Sequence, residues 1–191
     1  MKEKIFSSKS KSNKILSVVT VSVLLVLTVM FIVLHGKYDK ASYLSVAISL
    51  GTMLYHFVMR LAVGGLTTKL LYSKLNPEWR WFQTTAFERK IYKLIKVKKW
   101  KIIMPTGDPE SFSLKKHTPQ EIAKTMCGAE LVHELNILLS FLPILLAIPF
   151  GSLSVFVITS VAAALCDLPF VIMQRFNRPR MLRFANKKQT Q

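Results

Sequence analysis

Residues 15–34 form a run of twenty without one Asp, Glu, Lys or Arg. As a helix rising 1.5 Å per residue, such a run spans about 30 Å, the thickness of a bilayer's hydrocarbon core. A segment apolar on every face has no polar side to turn to water, so the chain is expected to begin in a membrane. Three further apolar stretches follow at 43–63, 129–150 and 153–173, each long enough to cross with ordinary tilt. The expected fold class is therefore all-α, an integral membrane helical bundle of about four transmembrane helices in a single domain. Lys2, Lys4, Lys9, Lys11 and Lys14 precede the first run as a basic leader would precede a signal peptide. The run is longer than a signal-peptide core, however, and Leu34-His35-Gly36-Lys37-Tyr38 offers no small-x-small cleavage pattern, so a retained anchor is expected.

The charge is segregated in a way that orients these spans. Lys and Arg number 27 against 10 Asp and Glu, a net charge of +17, in a chain that is 51% hydrophobic. Five of the cations lie in the leader, thirteen in residues 64–128 and six from Gln174 onward, while the short connections around 36–42 and 151–152 hold only Lys37 and Lys40. The positive-inside rule then places both termini and the central segment in the cytoplasm, as in a multi-pass cell-membrane protein. Topology and anionic membrane lipid explain the positive charge, and no nucleic-acid-binding motif accompanies it, so nucleic acid is not an expected partner. Two cysteines exclude a disulfide scaffold, and the composition excludes an acidic disordered chain or a collagen-like repeat.

The central segment, 64–128, is too polar to span. Between Trp79 and Trp100 it mixes Trp79, Trp81, Phe82, Phe87, Tyr92 and Trp100 with Arg and Lys, the composition of a basic interfacial helical segment on an anionic surface. Pro105, Gly107 and Pro109 interrupt it, and Thr118-Pro119-Gln120-Glu121 then reads as a helix start, with Pro at the first helical position. A short helix there is expected to lead into the third span. Residues 181–191 are expected to form a flexible tail, disordered beyond Lys187.

Ionisable groups inside membrane helices are costly, so each is a functional candidate. The second span carries His56 and Arg60, the third Glu130, His133 and Glu134, and the fourth Asp167, followed by Gln174, Arg175, Asn177 and Arg178. Given the alternating directions of the spans, all of these fall at one depth, in the cytoplasmic leaflet. His56 and Arg60, four apart, share a helix face; Glu130, His133 and Glu134, three and four apart, share another. A carboxylate one turn from an imidazole can orient it as a general base for a hydroxyl, whereas the plainer alternative is a set of interhelical hydrogen bonds.

Metal and thiol chemistry find less support. His133-Glu134-Leu135-Asn136-Ile137 opens like a zinc-protease helix but has Ile where the second His is needed, so no metal is expected. Cys127 and Cys166 read as small apolar residues or palmitoylation sites, and His35 and His117 as bland loop residues.

The stretch Ala129-Glu130-Leu131-Val132-His133, with Asp167-Leu168-Pro169 and Gln174-Arg175-Phe176-Asn177-Arg178-Pro179-Arg180 some forty residues later, resembles the glycosyl-4,4′-diaponeurosporenoate acyltransferase family. There the corresponding segments read approximately Ala-Glu-Leu-Ile-His, Asn-x-Pro and Gln-Arg-Tyr-Asn-Arg-x-Arg. Phe87-Glu88 and Trp100-Lys101 with Pro105 extend the resemblance upstream, so that it covers roughly Asn76 to Arg180. The chain departs from the family at Thr125-Met126-Cys127-Gly128, where members have Glu-Thr-(Arg/Lys)-Arg, and over the first two spans.

The resemblance implies a membrane acyltransferase that places a fatty acyl group on a lipid-linked, glycosylated isoprenoid acceptor, as in carotenoid biosynthesis. His133, held by Glu130 and with His56 near, would deprotonate the acceptor hydroxyl; Arg175, Arg178 and Arg60 would bind phosphates of a donor such as acyl-CoA; Asn177 and Gln174 would orient substrate or the oxyanion, and Glu134 and Asp167 would complete the binding site. No cofactor beyond that co-substrate is expected, the partners are membrane lipids and the lipid-linked acceptor, and no oligomeric state is assigned. The alternatives are a methyl or prenyl transferase on a lipid, and a scaffold that binds anionic lipid, which would survive His133→Gln.

Overall fold

The computed structural model describes the backbone of residues 2–106 and 108–189, and the side chains of 15–106 and 108–187. The leader lysines' side chains, Gly107 and the last two residues lie outside the described residues. Among those described, every regular element is helical. The α-helices are α1 (Lys2–Tyr38), α2 (Ala41–Leu66), α3 (Ala86–Leu94), α4 (Val97–Trp100), α5 (Pro119–Leu139), α6 (Ala147–Phe150) and α7 (Leu153–Gln189). Four stretches are long and apolar enough to cross a membrane: Ile15–Tyr38, Ala41–Lys74, Pro119–Phe150 and Leu153–Lys187. His35 therefore belongs to a helix, not to a loop.

The chain divides into two compact units, Met1–Ala62 with Leu138–Ala164, and Val63–Ile137 with Leu165–Gln191. In the first, α1 turns into α2 through Asp39 at φ 48°, a left-handed conformation that Asp tolerates, and Asp39 N–H donates to the His35 carbonyl at 2.8 Å. The Tyr43 ring packs 6.2 Å from Phe31 and 6.1 Å from Tyr38. The third apolar stretch is not one helix. Pro143 has no N–H to offer the Leu139 carbonyl four residues back, so α5 stops, a 3-10 segment spans Leu142–Leu146 and α6 follows. The Tyr55 hydroxyl donates to that stranded Leu139 carbonyl at 2.8 Å. Within the same unit Arg60 donates to the carbonyls of His56 at 3.2 Å and Ala163 at 2.9 Å.

The second unit is built from the polar centre of the chain. The helix start at Thr118 forms as a capping box, with Glu121 N–H donating to Thr118 Oγ1 at 3.2 Å and Thr118 N–H to Glu121 Oε2 at 2.7 Å. The helix it opens runs on to Leu139, so the short leading helix and the first part of the third span are one element. His117 also has an acidic neighbour, Glu121, at 3.9 Å. Thr85 caps α3 in the same reciprocal way with Glu88, and Lys96 at φ 53° breaks α3 from α4. The expected interfacial segment is thus a series of short helices that buries Phe82, Tyr92 and Val97 while leaving Phe87, Leu94, Ile102 and Ile103 largely exposed.

Leu75, Phe82 and Cys127 form the apolar core of this unit, with Tyr72 and Leu131 against it. Two positions where the chain departs from the family pattern face this packing. Cys127 is fully buried, and a Cβ on Gly128 would meet the Tyr72 ring at 3.3 Å. An Arg at 128 would meet the Tyr72 and Leu75 side chains, and one at 127 would bury a second cation beside Arg178. The stretch from 181 onward, expected to be a loose tail, continues α7 to Gln189.

Candidate active site

Pro169 and Pro179 lie inside α7. Pro179 leaves the carbonyl of Arg175 without its helical donor, and Thr84 Oγ1 supplies one at 3.1 Å. This bond ties the segment before α3 to the turn of α7 that carries most of the polar residues singled out from the sequence.

His133 on α5 meets Asp167 on α7, with Nδ1 2.7 Å from Oδ1. An ionised carboxylate only accepts, so Nδ1 carries the ring proton in this contact and Nε2 is left as the basic nitrogen. Asn136, one turn beyond His133, donates Nδ2 to the same carboxylate oxygen at 3.3 Å. Phe170, one turn beyond Asp167, stacks on the imidazole at 4.7 Å with an interplanar angle of 11°. The ring is therefore held at an edge and over a face. The His133 side chain is 24% exposed and that of Asp167 only 5%, so the imidazole is within reach of a ligand while the carboxylate behind it is sealed.

Glu130 does not hold His133, contrary to the expectation from helical spacing. Its buried carboxylate accepts a hydrogen bond from Arg178 Nη1 and lies 3.2 Å from Arg175 Nε. A desolvated carboxylate is stabilised far more by two guanidinium groups than by an imidazole, and α7 brings both Arg residues to it. Arg178, 1% exposed, also donates Nη2 to the Phe82 carbonyl and covers the Phe82 ring at 5.1 Å. Arg175 reaches Glu88 at 3.2 Å and Glu134 at 3.8 Å, and donates to the Trp81 carbonyl. Trp81 Nε1 in turn donates to Glu134 Oε2 at 2.8 Å. Three carboxylates and two guanidinium groups thus form one network, which leaves the two Arg residues engaged with protein and not turned to donor phosphates. Trp81, Thr84 and Glu88 belong to this network, and sequence reasoning had given them no role in the site.

Burial raises the Glu88 carboxyl, but the Thr85 backbone and side-chain hydrogen bonds and the Arg175 charge outweigh it and hold Glu88 below the ordinary carboxylate range. Tyr92, 3.5 Å from Glu88 through its hydroxyl, is pushed up to about 12 by burial and then by the Glu88 charge. Gln174 is buried, and Asn177 accepts a hydrogen bond from Lys101 Nζ. His56 and Arg60 belong to the other unit, where His56 is buried with Tyr55 edge-on to its ring at 5.4 Å. Among the described residues no cluster of three or more His, Cys, Asp or Glu is placed to hold a metal ion.

Beside this network, a cavity of about 770 Å³ opens between α3, α4 and the last turns of α7. Its walls include Arg89, Lys93, Lys98 and Lys101 from one side. Arg180, Arg183 and Lys187 come from the other. From the sequence these cations read as topology and membrane-surface charge, with Arg180 alone inside the family-like motif Gln174–Arg180. The signal that could have joined them is their spacing, four residues between Arg89 and Lys93 and three and four along Arg180, Arg183 and Lys187, which puts each set on one helix face.

Residues 77–187 match the family model described as glycosyl-4,4′-diaponeurosporenoate acyltransferase. No curated protein and no solved structure gives a significant match. The matched region begins at the central segment and runs through α7, so it contains His133, Asp167, the Glu–Arg network and the basic cavity.

Proposed function

Because the chain belongs to the glycosyl-4,4′-diaponeurosporenoate acyltransferase family, we propose that it moves a fatty acyl group from a thioester donor to a hydroxyl of a lipid-linked, glycosylated acceptor, with His133 as the general base. The observation that carries this is the His133–Asp167 contact, a partly exposed imidazole backed by a buried carboxylate. His133 Nε2 takes the proton from the acceptor O–H as its oxygen attacks the acyl carbonyl carbon. A C–O bond forms and the carbonyl electrons move to oxygen. On collapse the C–S bond breaks, and the imidazolium returns the proton to the departing thiolate. Asp167 holds the tautomer and stabilises the imidazolium during the transfer, the part a buried carboxylate plays behind a catalytic histidine.

Arg175, Arg178, Glu130 and Glu134 act as positioning residues, fixing α7 against α5 within this unit so that Asp167 meets His133. Asn177 and Gln174 are proposed to orient substrate. The exposed Phe87, Leu94, Ile102 and Ile103 support a central segment lying on the cytoplasmic face of the cell membrane, where an acceptor anchored by its hydrocarbon would present its head.

The test is transfer of labelled long-chain acyl groups from acyl-CoA into native lipid extract by the purified protein, with the product identified by mass. Labelled acylated glycolipid with the wild type and none with His133→Gln supports the proposal. Equal product from both removes His133 as base, and no acyl product from the folded wild type, with transfer instead from a labelled methyl or prenyl-diphosphate donor, would replace the reaction.

A further inference from the structure

We propose that the cavity between α3, α4 and the end of α7 is a polyphosphate site that takes the phosphorylated head of the acyl donor. This rests on the transferase reading for the donor's identity, but the site itself stands on its charge and shape. Seven cationic side chains line it and no Asp or Glu does. Among the described residues, none of Arg89, Lys93, Lys98, Lys101, Arg180 or Arg183 has a carboxylate within ion-pair range. Carboxylates exist nearby, yet Glu88, Glu130 and Glu134 are all drawn to Arg175 and Arg178. The network therefore sorts charge: it gathers the acids around two guanidinium groups and leaves the neighbouring cavity uniformly positive.

Positive groups crowded in a concavity repel one another until an anion enters. Lys101 shows this pressure: burial, and then the charges of Arg180 and Lys98, push its ammonium below the ordinary lysine range. Its position is fixed by Asn177 Oδ1 and by the Phe176 ring, 4.8 Å from Nζ. In the apolar part of the wall Phe184 is 49% exposed and offers a flat surface of the kind on which a nucleotide base stacks. At about 770 Å³ the cavity is of a size that encloses a whole ligand head. A membrane phospholipid brings one phosphodiester, whereas cations on both walls suit several phosphates spread along a head. Asn177 lies ten residues beyond Asp167 on α7, about 15 Å of helix. A donor whose anionic head is joined to its thioester by a flexible arm would bridge that separation.

The test is calorimetric titration of coenzyme A into the full-length protein in nanodiscs of uncharged lipid, with Lys98→Glu/Arg183→Glu and His133→Gln in parallel. Both charge-reversed positions are exposed, so folding is expected to survive, as circular dichroism would verify. Wild type should bind coenzyme A, 0.5 M salt should weaken binding, and the double charge reversal should weaken it about tenfold or more. His133→Gln should bind like wild type while losing transfer, which separates this site from the catalytic assignment. Binding that is indifferent to charge reversal, or no binding by the folded wild type, overturns the proposal. A wild type that ignores coenzyme A but is captured by phosphatidylglycerol vesicles in a charge-dependent way overturns it in favour of a lipid headgroup. Absence of transfer with coenzyme A binding intact would instead count against the reaction and leave the site standing.

Discussion

His133 Nδ1 and Asp167 Oδ1 stand 2.7 Å apart although 34 residues separate them in the chain. Asp167→Asn keeps the volume but offers an amide that can hold the ring in the wrong tautomer. Acyl transfer is expected to fall by about 10²- to 10⁴-fold, within the range for disabling acid–base catalysis, with little change in apparent KM for the donor. Steady-state rates for wild type and variant decide the matter; an unaltered kcat would show that Asp167 does not serve the base.

The Glu130–Arg178 pair makes a prediction about stability. Glu130→Gln leaves a buried guanidinium without its counter-charge, a loss of about 3–5 kcal/mol for such pairs. The double change Glu130→Leu/Arg178→Met removes both charges and should recover a large part of that loss. Arg178→Lys should not rescue, because one ammonium cannot serve both Glu130 and the Phe82 carbonyl as the fork does. Thermal unfolding in detergent ranks the three variants, and a double variant less stable than Glu130→Gln alone would refute the account.

Part of this arrangement was legible in the sequence. The four apolar stretches identified themselves because uncharged windows of that length have few other uses, and Thr118 with Glu121 marked the start of α5. What spacing along a helix reveals is a shared face, and Glu130 and His133 do share a region of α5. It does not reveal which neighbour that face meets, so Asp167 was placed among binding residues and Glu130 beside the imidazole. The break at Leu139 was hidden because Pro143 sits among leucines, where hydropathy alone does not register a missing N–H. The basic cavity was unreadable for a different reason: Arg89 and Lys187 lie almost a hundred residues apart, and a membrane protein has ample other use for cations.

The Thr84–Arg175 hydrogen bond predicts a non-additive pair. Thr84→Val strands the Arg175 carbonyl and should cost about 1–2 kcal/mol. Pro179→Ala restores the helical donor at that position, and in its background Thr84→Val should cost much less. Equal costs in both backgrounds, read from a double-mutant cycle, would mean the hydroxyl is not replacing the missing N–H.

Tyr92 gives a signature in pH. Its folded phenol titrates at about 12 against an ordinary value of 10.0, pushed up by burial and then by Glu88. The fold favours the neutral phenol, so this contribution to stability is full below pH 10 and disappears as pH climbs from 10 through 12. The tyrosinate absorbance of wild type minus Tyr92→Phe should show a component with its midpoint near the upper value. A component at the ordinary value would mean that the ring is hydrated.

The bond from the Tyr55 hydroxyl to the Leu139 carbonyl bears on how the chain is made. In a bilayer no water can satisfy a carbonyl that Pro143 has deprived of its partner, and each such group left bare costs several kcal/mol. Synthesis runs from the N-terminus, so Tyr55 has been delivered to the membrane before Leu139 leaves the ribosome. A late helix that fails to find the early one keeps that penalty, and the proline thereby marks an unassembled chain for as long as it remains so.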